Sequence, residues 1–100
     1  MTPVVWTEAV LAQLAAIQDY ISQTSPVYAD RLIARVLARG KQLGEFPLAG
    51  RQVPERMDPT LREVIEWPYR VIYRVQPAQV EVLAVVHGRR LDAVPGKPAQ

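Results

Sequence analysis

The chain contains no cysteine, one histidine (His87), two lysines (Lys41 and Lys97) and one phenylalanine (Phe46). Without cysteine there can be no disulfide, no thiolate zinc site and no thiol nucleophile. A single histidine leaves too few ligands for an imidazole-based metal centre, so no metal and no cofactor are expected. No apolar run reaches the ~18 residues that a membrane span needs, and no basic-then-apolar leader opens the chain. A cytoplasmic protein without membrane contact is therefore expected. What is present is ordinary for a folded domain: 49% hydrophobic and 22% charged residues over 100 positions. A compact chain of that length has a radius of about 13 Å and room for one two-layer core, with none left for a separate cofactor domain.

Twelve basic and ten acidic residues give a net charge of +2, too little to imply nucleic-acid binding. Its distribution says more. Glu8, Asp19, Asp30 and Glu45 balance Arg31, Arg35, Arg39 and Lys41 in the first half, so the whole excess lies in the second. Ten of the twelve cations are arginine, whose planar fork suits phosphate or carboxylate. A GC-rich genome would give the same ratio, so the positions of the arginines carry the information.

Residues 3–6 form a short extended apolar run, and Thr7 offers an N-cap hydroxyl with Glu8 in the first turn behind it. Val10, Leu14, Ile17 and Ile21 then mark one face of a helix that ends near Ser22. Ser25-Pro26 restarts the chain as cap and first helical residue. Ala29, Leu32, Ile33, Val36 and Leu37 continue as a second apolar stripe, extended by Leu43, with Gly44 and Pro47 as stops. Residues 46–60 carry four prolines and glycines (Pro47, Gly50, Pro54, Pro59) and read as irregular, with Phe46, Leu48 and Val53 expected to pin them to the core. Three strands follow at residues 61–67, 69–75 and 80–87, separated by Trp67-Pro68-Tyr69 and by Gln76-Pro77-Ala78-Gln79. The last strand is nearly continuous β-branched and apolar sequence, hence interior to its sheet. The order β-α-α-β-β-β predicts an α+β two-layer domain over residues 1–90, a helical hairpin on a small, mostly antiparallel sheet of four strands. Residues 91–100, with Pro95, Gly96 and Pro98, are expected to form a flexible tail.

The segments Val5-Trp6-Thr7, Tyr20-Ile21, Ser25-Pro26, Phe46-Pro47 with Gly50-Arg51, Val53-Pro54-Glu55, Leu61-Arg62-Glu63, Tyr69-Arg70-Val71-Ile72-Tyr73-Arg74 and Ala84-Val85-Val86-His87-Gly88-Arg89-Arg90 occur in that order. Together they resemble the RelE/ParE superfamily of type II toxin–antitoxin toxins, also called plasmid stabilisation proteins, over about residues 4 to 90. The resemblance implies a growth-inhibiting toxin neutralised by a small antitoxin. RelE-like members cut mRNA in the ribosome, whereas ParE-like members poison DNA gyrase without catalytic residues.

Metal-independent RNA cleavage needs a base for the 2′-hydroxyl, a cation for the developing charge and an acid for the leaving oxygen. Glu55 as base, Arg62 and Arg70 as phosphate clamps and His87 as acid are the candidates that this resemblance supplies. Each has a plainer reading. Glu55 is a loop carboxylate within reach of Arg51 or Arg56; Arg62, Arg70 and Arg74 can pair across strands with Glu63, Glu66 or Glu81. His87 closes a buried strand, where a hydrogen-bonded core histidine is common, and Trp6, Trp67, Tyr69 and Tyr73 read as core rather than as an RNA-stacking platform. No tyrosine follows Tyr73, and the chain lacks the lysines expected of a surface that settles on ribosomal phosphates.

Gyrase poisoning asks only for a complementary surface. His87-Gly88-Arg89-Arg90 is similar to the terminal sequence of many ParE-like members, and Arg74, Arg89 and Arg90 are the expected target-binding residues. The sequence therefore favours a gyrase poison, with the mRNA endonuclease as the alternative. An acidic antitoxin tail that folds on the toxin is expected to cover Arg51, Arg62 and Arg70 in a hetero-oligomeric complex.

Overall fold

The Thr7 hydroxyl accepts a hydrogen bond from the Val10 amide at 3.1 Å and so begins helix α1 (Glu8–Ser22). Such an oxygen satisfies one of the amides that a first turn leaves without a partner, and Glu8 complements the positive end of the helix dipole. Ser25 does the same for the Tyr28 amide at 3.2 Å, with Pro26 opening α2 (Pro26–Gln42) where its missing N–H costs nothing. Both helix starts lie where the sequence places them.

The structure is a computed structural model and describes residues 1–88 together with Pro95. Its strands are β1 (Val4–Trp6), β2 (Arg51–Gln52), β3 (Leu61–Glu66), β4 (Tyr69–Val75) and β5 (Val80–His87). They form one sheet in the order β1-β5-β4-β3-β2. The β1–β5 pair is parallel and the other three are antiparallel. Two helices thus pack on a five-stranded mixed sheet, the α+β architecture expected. The four-strand count is corrected: β2 is a fifth strand inside the stretch read as irregular. Two residues are too few to show an alternation, and Arg51 and Gln52 hold their place by pairing with Glu63 and Arg62. The expected tail, apart from Pro95, lies outside the described residues, as do Arg89 and Arg90.

One face of the sheet meets the helices, where Val10, Leu14, Leu32 and Val36 pack against Val64, Val71, Tyr73 and Val82. A second, smaller core of Val53, Leu61, Ile72, Ala84 and Val86 fills the opposite face beneath the loop after β2. Between them β5 carries a bulge: pairing passes from Ile72↔Ala84 to Tyr73↔Val82, leaving Leu83 as the extra residue. Leu37 does not join the apolar stripe and is exposed on α2, because Leu32 and Val36 already occupy the arc that faces the sheet. Gly40, inside α2, is explained by Trp6, whose indole fills the space a β-carbon would take.

Phe46 and Leu48, expected to pin the loop, are exposed; only Val53 of the three is buried. Tyr73 does the pinning instead. Its ring lies fully inside, and its hydroxyl accepts from the Gly50 amide and donates to the Pro47 carbonyl, both at 2.8 Å. Burial raises its pKa, which keeps the phenol a neutral donor. Tyr73→Phe should leave a buried amide and carbonyl without partners and cost about 1–3 kcal/mol of stability, read as a lower urea midpoint at unchanged slope.

Candidate functional site

Cross-strand partners share a face, so the register sorts the charged side chains into two sets. Arg51 lies opposite Glu63, and Glu63 opposite Ile72; by alternation Ile65 and Arg70 join them on the face away from the helices. Arg62 lies opposite Tyr73, and Glu66, Tyr69 and His87 form a row, all on the helix-covered face.

On the first face the side chains form a continuous ionic cluster. Arg70 donates through both terminal nitrogens to the two oxygens of Glu55, each at 2.7 Å, a bidentate fork. Its Nε donates to Glu63 Oε1 at 2.7 Å, and its Nη2 also bonds that oxygen. Arg51 closes the cluster by binding Glu63 Oε2 at 2.7 Å through both Nε and Nη2. The side chain of Glu63 has no exposure and that of Arg70 has 6%, whereas Arg51 is 65% exposed. Hydrogen bonding to Arg70 holds the Glu55 carboxyl below its ordinary pKa, partly opposed by burial. A cleft of about 220 Å³ bordered by Arg51, Glu55, Trp67 and Arg70 opens onto this cluster. Beyond it, Arg74 donates to Asp58 at 3.1 Å, and Asp58 also accepts from the Thr60 hydroxyl and amide. These bonds, the Thr60 hydroxyl first and Arg74 next, lower the Asp58 pKa.

The four residues named for RNA cleavage are not brought together. Glu55 and Arg70 meet, but as an ion pair that engages both carboxylate oxygens and weakens Glu55 as a base. Arg62 lies on the other face and donates to the Gly50 carbonyl at 2.7 Å. His87 is exposed at the end of β5, its ring edge-on to Tyr69 at 5.7 Å, beside a cleft of about 330 Å³ against α1. The same division separates Arg62 from Arg51 and Arg70 in the trio expected beneath an antitoxin. Glu55 pairs with Arg70 rather than with Arg51 or Arg56, and Arg74 pairs with Asp58 rather than with a strand carboxylate. Glu66 pairs with Arg35 and Arg39 of α2, which tie the second helix to the sheet. Trp67, read as core, is 79% exposed at the β3–β4 turn.

A helical hairpin laid on a five-stranded mixed sheet is an architecture shared with a solved structure. The chromosomal ParDE TA system from P. aeruginosa has a chain of the same fold: TM-score 0.71, 24% identity, covering 87% of this chain and 96% of that one. The family described as ParE toxin of type II toxin–antitoxin system, parDE, matches residues 4–92, and the chain belongs to it. The protein is therefore a type II toxin of the RelE/ParE superfamily, as the sequence resemblance implies. Toxin RelE2 of Caulobacter vibrioides is 40% identical over 92 residues, covering 91% of this chain and all of that protein.

Two outcomes follow from the ionic cluster. Arg70→Met removes the main counter-charge of Glu63 and should cost about 3–5 kcal/mol, measured by denaturant unfolding at neutral pH. Glu55 has a lower pKa folded than unfolded, so its contribution is complete above the unfolded value of about 4.3 and is lost as pH falls through the folded value. Glu55→Gln should accordingly flatten the decline of the urea midpoint with acidification; a decline as steep as that of the wild type would contradict the assignment.

Proposed function

We propose that this toxin arrests growth by binding DNA gyrase and poisoning it. The observation that carries the reading is the dispersal of the cleavage candidates: the candidate base Glu55 is locked to Arg70, while Arg62 and His87 stand on the opposite face. General acid–base catalysis requires base, cation and acid around one phosphate, and these four residues do not share such a point. A poison that works by occupancy needs none. The match to the ParE toxin family supports the same choice. The name of the Caulobacter relative favours the alternative, a ribosome-dependent mRNA endonuclease working through 2′-hydroxyl attack.

A type II toxin has an antitoxin partner, and we propose a small DNA-binding one whose tail folds on the toxin. Arg51 is the arginine of the expected trio that best suits such a tail, since its guanidinium reaches solvent while Arg70 is buried. Arg74, Arg89 and Arg90 remain the proposed target-side cations. The gyrase target places the protein in the cytoplasm.

Purified toxin should cause gyrase and ATP to accumulate linear, protein-linked plasmid from supercoiled DNA, and should leave mRNA on translating ribosomes uncut. Cuts in ribosome-bound mRNA with no effect on gyrase would reverse the assignment.

A further inference from the structure

Residues 53–60, between β2 and β3, cross the face away from the helices with little apolar attachment. Val53 is their only buried residue, and Met57 is 64% exposed. Main-chain bonds fasten the two ends of this segment. The Val53 amide donates to the Leu61 carbonyl at 3.2 Å, the Leu61 amide to the Asp58 carbonyl at 3.1 Å, and the Thr60 carbonyl accepts from the Val75 amide at 2.9 Å. Pro54 and Pro59 have no amide to add.

Two carboxylates hold the middle. Glu55 meets Arg70 and Asp58 meets Arg74, and these arginines stand four residues apart on β4 with Ile72 between them. Alternation puts all three on one face, so the ion pairs clamp the segment on either side of the fully buried Ile72. Of the other charges on this face among the described residues, Arg51 and Arg70 bind Glu63, Arg56 donates to the Glu55 and Pro95 carbonyls, and Glu81 stands opposite Arg74 on β5.

We infer that residues 53–60 are a flap latched by charge: the Glu55–Arg70 and Asp58–Arg74 pairs hold it over the smaller core, and their release lifts it while the helices and the long strands stay folded. Lifting takes one residue, Val53, out of the smaller core, whereas the eleven buried residues of the helix-covered core keep their packing. Glu63 keeps both Arg70 and Arg51, so the opening orphans no buried charge. An opening that breaks so few apolar contacts lies at the low-energy end of native fluctuations. It gives the toxin a second folded form, in which the cleft that Glu55 borders beside Trp67 is widened. The latch does not depend on which target the toxin takes.

Native-state amide exchange of the full-length toxin, followed by NMR at a series of low urea concentrations, tests the latch. In the wild type the Val53, Arg56 and Leu61 amides should exchange at rates that urea leaves unchanged. The Leu14 and Val36 amides should accelerate with urea, as global unfolding requires. Glu55→Gln should speed the three flap amides by about 10- to 100-fold. Asp58→Asn breaks the more exposed pair and should speed them by about 2- to 5-fold. Glu66→Gln, which removes the pairs with Arg35 and Arg39 on the other face, should leave them at the wild-type rate. Flap amides that share the urea dependence of Leu14 and Val36 would show that the segment opens only when the whole chain unfolds, and the inference would fall. Flap rates unmoved by both Glu55→Gln and Asp58→Asn would overturn it as well, because the latch would not be ionic. The urea series on the wild type decides the point even where a variant fails to fold.

Discussion

The carboxylate of Glu63 is fully removed from water in the middle of a sheet, and much of this fold follows from the need to compensate it. An uncompensated charge there would cost several kcal/mol, so its oxygens need charged donors with good geometry. Arg70 comes from the neighbouring strand and Arg51 from the far side, and Arg51 is what gives two residues of loop the register of a strand. Arg70 has hydrogen-bonding capacity left after Glu63, and Glu55 takes it. One buried charge therefore draws β2, β3, β4 and the following loop together. With the loop anchored at Glu55, Val53 is carried over the second face and completes the smaller core.

This cluster also shapes what the toxin can do. An arginine that holds two carboxylates at 2.7 Å is a structural cation, not one waiting for a phosphate. The same logic runs across the described residues, where Arg35 and Arg39 meet Glu66 and Arg74 meets Asp58. A chain whose arginine content first suggests anion recognition uses much of it internally. Its solvent-facing chemistry is aromatic at the hairpin tip and at the β3–β4 turn.

The helices were legible because caps and apolar periodicity agree: Thr7, Ser25-Pro26 and the stripes through Leu14 and Leu32 each satisfy a local rule. The three long strands were legible from β-branched runs bounded by proline. β2 was not, since its cause is Glu63, twelve residues along the chain from Arg51. Phe46 and Leu48 misled because hydrophobicity alone suggested anchors, whereas the anchor is a tyrosine hydroxyl reaching the backbone of Pro47 and Gly50. For the site, alternation along 61–66 already separates Arg62 from Glu63, which strand pairing makes definite.

His87 is the instructive case, since its position turns on a single extra residue. Counting by twos from Val82, which faces the helices, would put His87 on the open face with Arg70, where an acid and a phosphate clamp could cooperate. The bulge at Leu83 inverts the alternation: Ala84 and Val86 turn to the second core, and Val85 and His87 turn back toward α1. The histidine is thereby moved from the arginine cluster to the helix-covered face, beside Tyr69. A bulge leaves no mark in a run of valine, leucine and alanine, so the face His87 occupies is readable only from the pairing of β4 with β5. That inversion removes the acid from any shared site with Glu55 and Arg70, and it sets the ring beside Tyr69 in the cleft against α1. Without the extra residue His87 would share a face with Glu55 and Arg70, and the register adopted keeps them apart.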